Sequence, residues 1–146
     1  MSTKHSILSI ETTQQFEIVN ITKHAQEAVH ANGITSGVIV VSTPHTTAGI
    51  KLNHYEPLLL QDILRTMYKL APQDTSYNHD QFEMRQNIAP GERSNGHAHV
   101  KAFLLGASES LPILDGRIVL GDRQNILFVE CDGARKRTVH ITILGE

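Results

Sequence analysis

The feature that most constrains this fold is a succession of short segments with strand character, separated by turn residues. Residues 37–43 form a β-branched run that is typical of a strand buried on both faces. Asp115-Gly116 and Asp132-Gly133 are strong signals for hairpin turns, and Thr12-Thr13 could join the first two strands in the same way. Eight or nine strands connected by such turns predict an antiparallel β-sandwich or barrel-like domain. The predicted strands are 4–11, 14–20, 37–43, 50–52, 97–105, 107–114, 116–120, 125–132 and 135–143.

Two stretches switch from alternating to helical spacing of apolar residues. The first predicts a helix over 21–31, which Asn32-Gly33 ends because both residues tolerate the left-handed conformation. The second begins near Pro57, in a first turn where proline is tolerated, and ends before Pro72. We therefore predict a single domain over 1–146 of the α+β class, mainly β, with two helices flanking the sandwich.

Charge and composition limit the classes of function. The chain has 146 residues and a formal net charge of −2, so it lacks the basic excess that neutralises nucleic-acid phosphates. No apolar run is long enough to span a bilayer, and residues 1–15 lack the apolar region of a signal peptide. We expect a cytoplasmic protein with neither nucleic-acid nor membrane partners. The single cysteine, Cys131, lies in an apolar run, which indicates a core thiol.

The nine histidines are the one unusual feature of the composition. His97 and His99 are two residues apart, and in a strand over 97–105 both imidazoles would point to the same face. His45 directly follows a predicted buried strand and is the best candidate for a third ligand. Three imidazoles with an open fourth position are typical of a catalytic zinc site. The alternative is a polar stripe that faces solvent.

A long polar segment, 71–96, leads into this histidine pair. Loops of this length in a domain are commonly functional or disordered, and we favour a functional one. It contains His79, a candidate extra ligand or an acid–base group oriented by Asp80. The polar side chains that could hold the imidazoles or bind substrate are Thr46, Thr47 and Asn95.

Charged residues near the C-terminal end of the chain form a second candidate constellation. Glu130 lies inside an apolar strand, where an unpaired charge is costly, so it should have a partner. Arg135 and Arg137 are two residues apart and could grip one anion, such as a phosphate, with Arg93 adding a further cation. The alternative is a hairpin with solvated charges. Neither a P-loop nor a GxGxxG motif is present.

Four segments together resemble one known family. They are Ser42–Ala48, Tyr77–Asp80, Asn95–His99 and Glu130–Arg137, and they resemble the YjbQ-like family, whose members are described as secondary thiamine-phosphate synthases. The resemblance implies a β-sandwich with flanking helices, a homotrimer and a metal-containing pocket near the subunit contacts. It implies a metal cluster of His45, His97 and His99, surrounded by Asn95, Glu130, Asp132 and Arg135.

The resemblance also implies an activity, which joins a pyrimidine methyl diphosphate to a thiazole phosphate and releases diphosphate. The three arginines and a divalent metal, zinc, would neutralise the leaving group of this small phosphorylated substrate. We expect His79, Glu130 and Asp132 to be the catalytic residues. A zinc-dependent hydrolase, with His79 or Glu130 as proton carrier, is one alternative. A non-catalytic module that binds a metal or a small ligand is another.

Overall fold

Two antiparallel sheets and three helices make up the protein, as described by a computed structural model of residues 1–146. The strands are β1 (Ser2–Glu11), β2 (Glu17–Asn20), β3 (Ser36–Ser42), β4 (Ala48–Asn53), β5 (Ser108–Leu114), β6 (Arg117–Ile118), β7 (Asn125–Glu130) and β8 (Lys136–Gly145). The helices are α1 (Thr22–Ala31), α2 (Pro57–Leu70) and α3 (Gly96–Leu105). One sheet has the order β1-β8-β3-β5-β6 and the other β2-β7-β4. The predicted α+β class is confirmed.

The core fills the space between the inner faces of the two sheets. Alternate residues of each strand point inward, so Ile39 of β3 packs beside Ile143 of β8, and both belong to the same buried core as Phe128 from the smaller sheet. Helix α1 closes the core with Ala25 and Val29, both fully buried. Burial of this apolar surface is the main force that holds the two sheets together.

The strands on either side of Asp132-Gly133 lie in different sheets. Strand β7 pairs with β2 and β4, whereas β8 pairs with β1 and β3. The predicted hairpin at this point is therefore wrong, and residues 131–135 cross from one sheet to the other. The predicted hairpin at Thr12-Thr13 is wrong for the same reason, since β1 and β2 are also in separate sheets. Asp115-Gly116 does form the predicted hairpin, with φ angles of 51° and 74°.

Strand β3 is buried on one face only, contrary to the prediction. Its inward residues are buried, but Val38 points outward and is 44% exposed, opposite the exposed Leu144 of β8. The β-branched run reflects a five-stranded sheet whose second face is uncovered within one chain and mixes apolar residues with polar ones such as His5, His140 and Thr142. This outer face carries Ile7, Val38, Val40, Pro112, Leu114 and Leu144.

The segment 97–105, predicted as a strand, is helix α3. A helix turns through about 100° per residue, so His97 and His99 point to different sides, while His97 and Lys101 share one. Small residues of α3 pack on β4, and Phe103, which suggested a strand, faces outward and is 86% exposed. The helix ends at Gly106, which has a φ of 86°.

Helices α1 and α2 confirm the two helical predictions. Helix α2 begins at Pro57, and the Glu56 carboxylate accepts a hydrogen bond from the backbone N–H of Leu59 at 2.6 Å. Beyond it, the long irregular segment contains two short 3₁₀ turns, Asn78–Asp80 and Phe82–Met84. None of the helices is long and apolar enough to cross a membrane.

Candidate functional site

A buried ion pair fixes the crossing between the two sheets. The guanidinium of Arg137 binds the Glu130 carboxylate, with Nε at 2.8 Å from Oε1, and donates from Nη2 to Thr47 Oγ1 at 2.8 Å. Glu130 also accepts from Thr12 Oγ1 at 2.7 Å and from the backbone N–H of Asp132 at 3.2 Å. Glu130 therefore has the partner that its apolar surroundings require. Arg137 is engaged inside the protein and does not share an anion-binding face with Arg135.

Asp132 forms hydrogen bonds with several polar side chains at the crossing between the two sheets. Its Oδ2 atom accepts hydrogen bonds from Asn95 Nδ2 at 2.9 Å and from Arg135 Nη2 at 2.8 Å. Arg93 Nη1 donates to the Asp132 backbone carbonyl at 3.0 Å. We call these four residues the Asp132 cluster. Two guanidinium groups oppose one carboxylate, and both arginine side chains are partly exposed, at 45% and 33%.

Three side-chain atoms near this cluster are fully buried and have no hydrogen-bond partner. They are His79 Nε2, Asn95 Oδ1 and Arg135 Nε, and the first of them lies 3.6 Å from Oε1 of Glu92. Buried polar atoms almost always have a partner, so three orphans at one site indicate a place where a ligand or water binds. Arg135 Nε can only donate, and Asn95 Oδ1 can only accept because Nδ2 is bound to Asp132.

His99 lies between the polar loop and the Asp132 cluster. Its ring meets that of His79 edge-on, with centroids 4.6 Å apart. Burial, followed by the nearby His79, lowers the pKa of His99 below the ordinary value of 6.5. His99 is therefore a neutral imidazole at pH 7 and can accept a proton. Asp80 makes no hydrogen bond to His79, contrary to the prediction, and its Oδ1 accepts from the Gly96 backbone N–H at 3.0 Å.

A cavity of about 350 Å³ opens beside His99. Three predicted site residues line it, namely His45, Thr46 and His99, together with the exposed Phe103. Thr47 does not reach the cavity, since it is buried and bonded to Arg137.

The imidazoles of His45 and His97 are held by the protein itself. His45 Nε2 accepts a hydrogen bond from the backbone N–H of Thr138 at 2.9 Å, and its pKa is lowered by burial and by Arg137. His97 Nδ1 lies 2.8 Å from Nζ of Lys101, and its pKa is lowered by burial and by that ammonium group. Both side chains are fixed in place, in different directions.

These residues do not fit the predicted zinc site as they are placed. No group of three or more His, Cys, Asp or Glu side chains is arranged to hold a metal ion. A neutral His45 whose Nε2 accepts from Thr138 carries its proton on Nδ1, so neither nitrogen offers a free lone pair. Zinc binding by His45, His97 and His99 stays a prediction, which metal analysis of protein purified without chelators tests, and we derive no step through a metal.

The comparisons with known proteins identify the family. A family model described as UPF0047 protein YjbQ-like matches residues 6–146. The chain belongs to the YjbQ-like family. It is 39% identical over 137 residues to a UPF0047 protein of Archaeoglobus fulgidus, which covers 94% of this chain and 98% of that relative. It is 35% identical to UPF0047 protein YugU of Bacillus subtilis, with 94% and 97% covered.

A solved structure shows the same fold. The crystal structure of a YbjQ-like protein of unknown function from Sulfolobus solfataricus matches with a TM-score of 0.90 and 33% identity, and the match covers 99% of both chains. Family membership and fold, both predicted from the sequence, are therefore confirmed for this YjbQ-like protein.

The predicted function is wrong on the same findings. The relatives are named as UPF0047 proteins, and neither a thiamine-phosphate synthase nor a hydrolase is among the names. Both enzyme hypotheses and the metal-binding module required a metal ion. The structure assembles no ligand set for one, because 97–105 is a helix in which His97 and His99 point to different sides. We therefore discard these three functions.

Sequence reasoning missed two residues that shape the site. Lys101 is fully buried in α3, although lysine is rarely buried without a charged partner. Its spacing of four residues from His97 would have indicated a contact had the segment been read as a helix. Thr12, treated only as a turn residue, binds both Glu130 and the Arg135 backbone.

Proposed function

We propose that this YjbQ-like protein is an acid–base enzyme that binds a small phosphorylated substrate at the Asp132 cluster. The observation that carries the proposal is the set of three buried, unpartnered atoms, on His79, Asn95 and Arg135. Leaving a buried polar atom unsatisfied costs about 1–3 kcal/mol, and a bound substrate would remove that cost.

The charge balance of the cluster favours an anion. Arg93 and Arg135 together carry two positive charges, and Asp132 neutralises only one. The Glu130–Arg137 pair behind them is neutral as a whole. Planar guanidinium groups match the geometry of phosphate oxygens, and the partial exposure of both arginines leaves donors free for one.

The unpartnered atoms restrict the substrate further. The N–H at Arg135 Nε requires an acceptor, which a phosphate oxygen supplies. The Oδ1 atom of Asn95 requires a donor, which a bound water or a hydroxyl, amino or ring N–H group near the phosphate would supply. We infer a polar phosphorylated compound rather than an apolar phosphate ester.

His99 supplies the proton-transfer chemistry in this proposal. It is neutral at pH 7, and it lines a cavity that the four residues of the Asp132 cluster do not line. Asp132 and Glu92 lie close enough to stabilise the imidazolium that forms when it accepts a proton. His79, edge-on to it, presents Nε2, which lies 3.6 Å from Oε1 of Glu92, as a second group for the proton. A positioned imidazole contributes about 10²–10⁴-fold to such a step.

The test has two stages. A panel of phosphorylated metabolites is first incubated with the wild type in D₂O and followed by ¹H and ³¹P NMR for proton exchange or conversion. On any substrate found, we expect His99→Asn to lower kcat by about 100-fold or more, while the matched change His24→Asn at an exposed histidine of α1 leaves it unchanged. Full activity of His99→Asn would refute the assignment.

We also propose a homotrimer, as the family resemblance implies. The uncovered outer face of the five-stranded sheet supports this, because its exposed apolar residues Ile7, Val38, Leu114 and Leu144 would be covered in an interface. The absence of nucleic-acid and membrane partners stays a prediction from composition.

A further inference from the structure

Lys101 is buried without a carboxylate partner. The residue is 1% exposed, and its ammonium group contacts only the Ala71 carbonyl oxygen at 2.6 Å, His97 Nδ1 at 2.8 Å and the face of the Tyr68 ring, whose centroid lies 4.8 Å away. Burial lowers the pKa of Lys101, and the group that acts in the opposite direction is the Cys131 thiol rather than any Asp or Glu. Such a lysine in a small domain calls for an explanation.

All three contacts of this ammonium group are electron-rich. A carbonyl oxygen, an imidazole nitrogen and an aromatic face each accept one of its three protons. No donor approaches Nζ, so the arrangement suits a group that gives three hydrogen bonds and receives none. Ala71 directly follows the last residue of α2, where a positive charge is also favoured by the helix dipole.

This arrangement dictates the protonation of His97. If Nδ1 accepts from Lys101, a neutral imidazole must carry its proton on Nε2. The only side-chain hydrogen bond of His97 is the one at Nδ1, and the charges that act on the ring beyond Lys101 are those of Asp132, Asp80 and His99. The His97 ring therefore lies within electrostatic reach of Asp132 in the cluster.

We propose that Lys101 is a positioning residue that holds His97 in the Nε2–H tautomer, so that the imidazole presents a donor to a ligand of the Asp132 cluster. The use of this donor rests on the proposed function, but the tautomer does not. The proposal also explains why His97 does not fit a zinc site. A histidine that binds metal through Nε2 donates its Nδ1–H to an acceptor, and here a donor occupies that position.

NMR of the ring nitrogens tests the tautomer directly. Long-range ¹H–¹⁵N correlation spectra of protein with ¹⁵N-labelled histidine, assigned with His97→Asn, distinguish the two neutral tautomers and the imidazolium. We expect wild-type His97 at pH 7 to be neutral, with Nε2 protonated and Nδ1 bare. A proton on Nδ1 would overturn the proposal.

Two variants test whether Lys101 is responsible. Lys101→Glu replaces the donor with an acceptor and should put a proton on Nδ1, whereas Lys69→Glu, the same change at an exposed position of α2, should leave the spectrum as in the wild type. Lys101→Met removes the donor and should move the Nδ1 resonance, with Lys69→Met as its control. An unchanged Nδ1 signal in folded Lys101→Met or Lys101→Glu would overturn the role of Lys101.

Binding of inorganic phosphate separates this proposal from the proposed function. We expect Lys101→Met to weaken phosphate binding by about fivefold or more, because the donor on His97 is no longer held. If the wild type binds no phosphate, the proposed function fails while the tautomer result stands. If phosphate binds and His97 carries its proton on Nδ1, only the present proposal fails.

Discussion

Removing the charge of Glu130 should destabilise the protein severely. The Glu130→Gln substitution keeps the size of the side chain but leaves the Arg137 guanidinium buried without a counter-ion. One of the two Glu130 oxygens also becomes an amide donor that faces the donors of Arg137. Breaking a buried ion pair from one side costs about 3–5 kcal/mol, a large part of a domain's total stability of about 5–15 kcal/mol.

A double-mutant cycle separates the lost ion pair from the lost packing. Arg137→Met leaves Glu130 as the uncompensated charge, and the double variant leaves neither. We expect the double variant to be less destabilised than the sum of the single variants, with a coupling energy of about 2–3 kcal/mol. Asp62→Asn, which breaks the exposed ion pair with Arg65, is the matched control and should cost no more than about 1 kcal/mol.

Urea unfolding followed by far-UV circular dichroism gives the free energies of unfolding for all four variants and the wild type. The protein concentration must be equal throughout, because assembly would make the midpoint depend on it. A loss below about 1 kcal/mol for Glu130→Gln, equal to that of the exposed control, would refute the claim that this pair fixes the crossing between the sheets.

Three further predictions follow from the structure. Acid should destabilise the fold. Burial lowers the pKa of three histidines in the folded state, so the unfolded chain binds more protons below about pH 6.5. The urea concentration at the unfolding midpoint should therefore decrease when the pH is lowered from 7.5 to 5.5, and an increase would contradict this. The three histidines are His45, His97 and His99. Val38→Glu on the outer face should dissociate a trimer of the 16.2 kDa chain in light-scattering measurements, whereas Leu58→Glu, at an exposed apolar residue of helix α2, should not. Gly133→Ala should lower the melting temperature sharply, because its Cβ would lie 1.9 Å from the Gln14 carbonyl oxygen, while Gly121→Ala, which meets only a flexible side chain, should be nearly neutral.

Local signals predicted most of the elements. The alternation of apolar and polar residues marked the strands, and Pro57 with Glu56 marked the start of α2. Both signals were readable because they depend on the local backbone conformation. The hairpin at Asp115-Gly116 was also predictable, since two consecutive positive φ angles favour such residues.

Non-local packing decided what the sequence could not show. Asp132-Gly133 has the residues of a hairpin, yet the strands beside it separate into two sheets. Helix α3 exposes Phe103 and buries Lys101, whereas an amphipathic helix usually buries its apolar residues and exposes its charged ones. Because the segment lacks the helical spacing of apolar residues, its sequence suggested a strand. That error placed His97 and His99 on one face and produced a zinc site that the fold does not assemble.

The location of the candidate site was partly predictable. Asn95, Asp132, Arg93 and Arg135 do come together, because the loop before α3 packs against the crossing between the sheets. Arginine commonly binds anions, which is why Arg137 was predicted to bind substrate. Its burial against Glu130 depends on the two-sheet topology and could not be predicted from the spacing of residues in the sequence.

The affinity for inorganic phosphate tests the central claim most directly. Arg135→Lys keeps the positive charge but removes the unpartnered N–H of Arg135 Nε. Isothermal titration should show phosphate binding to the wild type, a dissociation constant about tenfold or more higher for Arg135→Lys, and no change for Arg117→Lys, at an exposed arginine of β6. Equal affinities for Arg135→Lys and the wild type, or no phosphate binding by the wild type, would contradict the account.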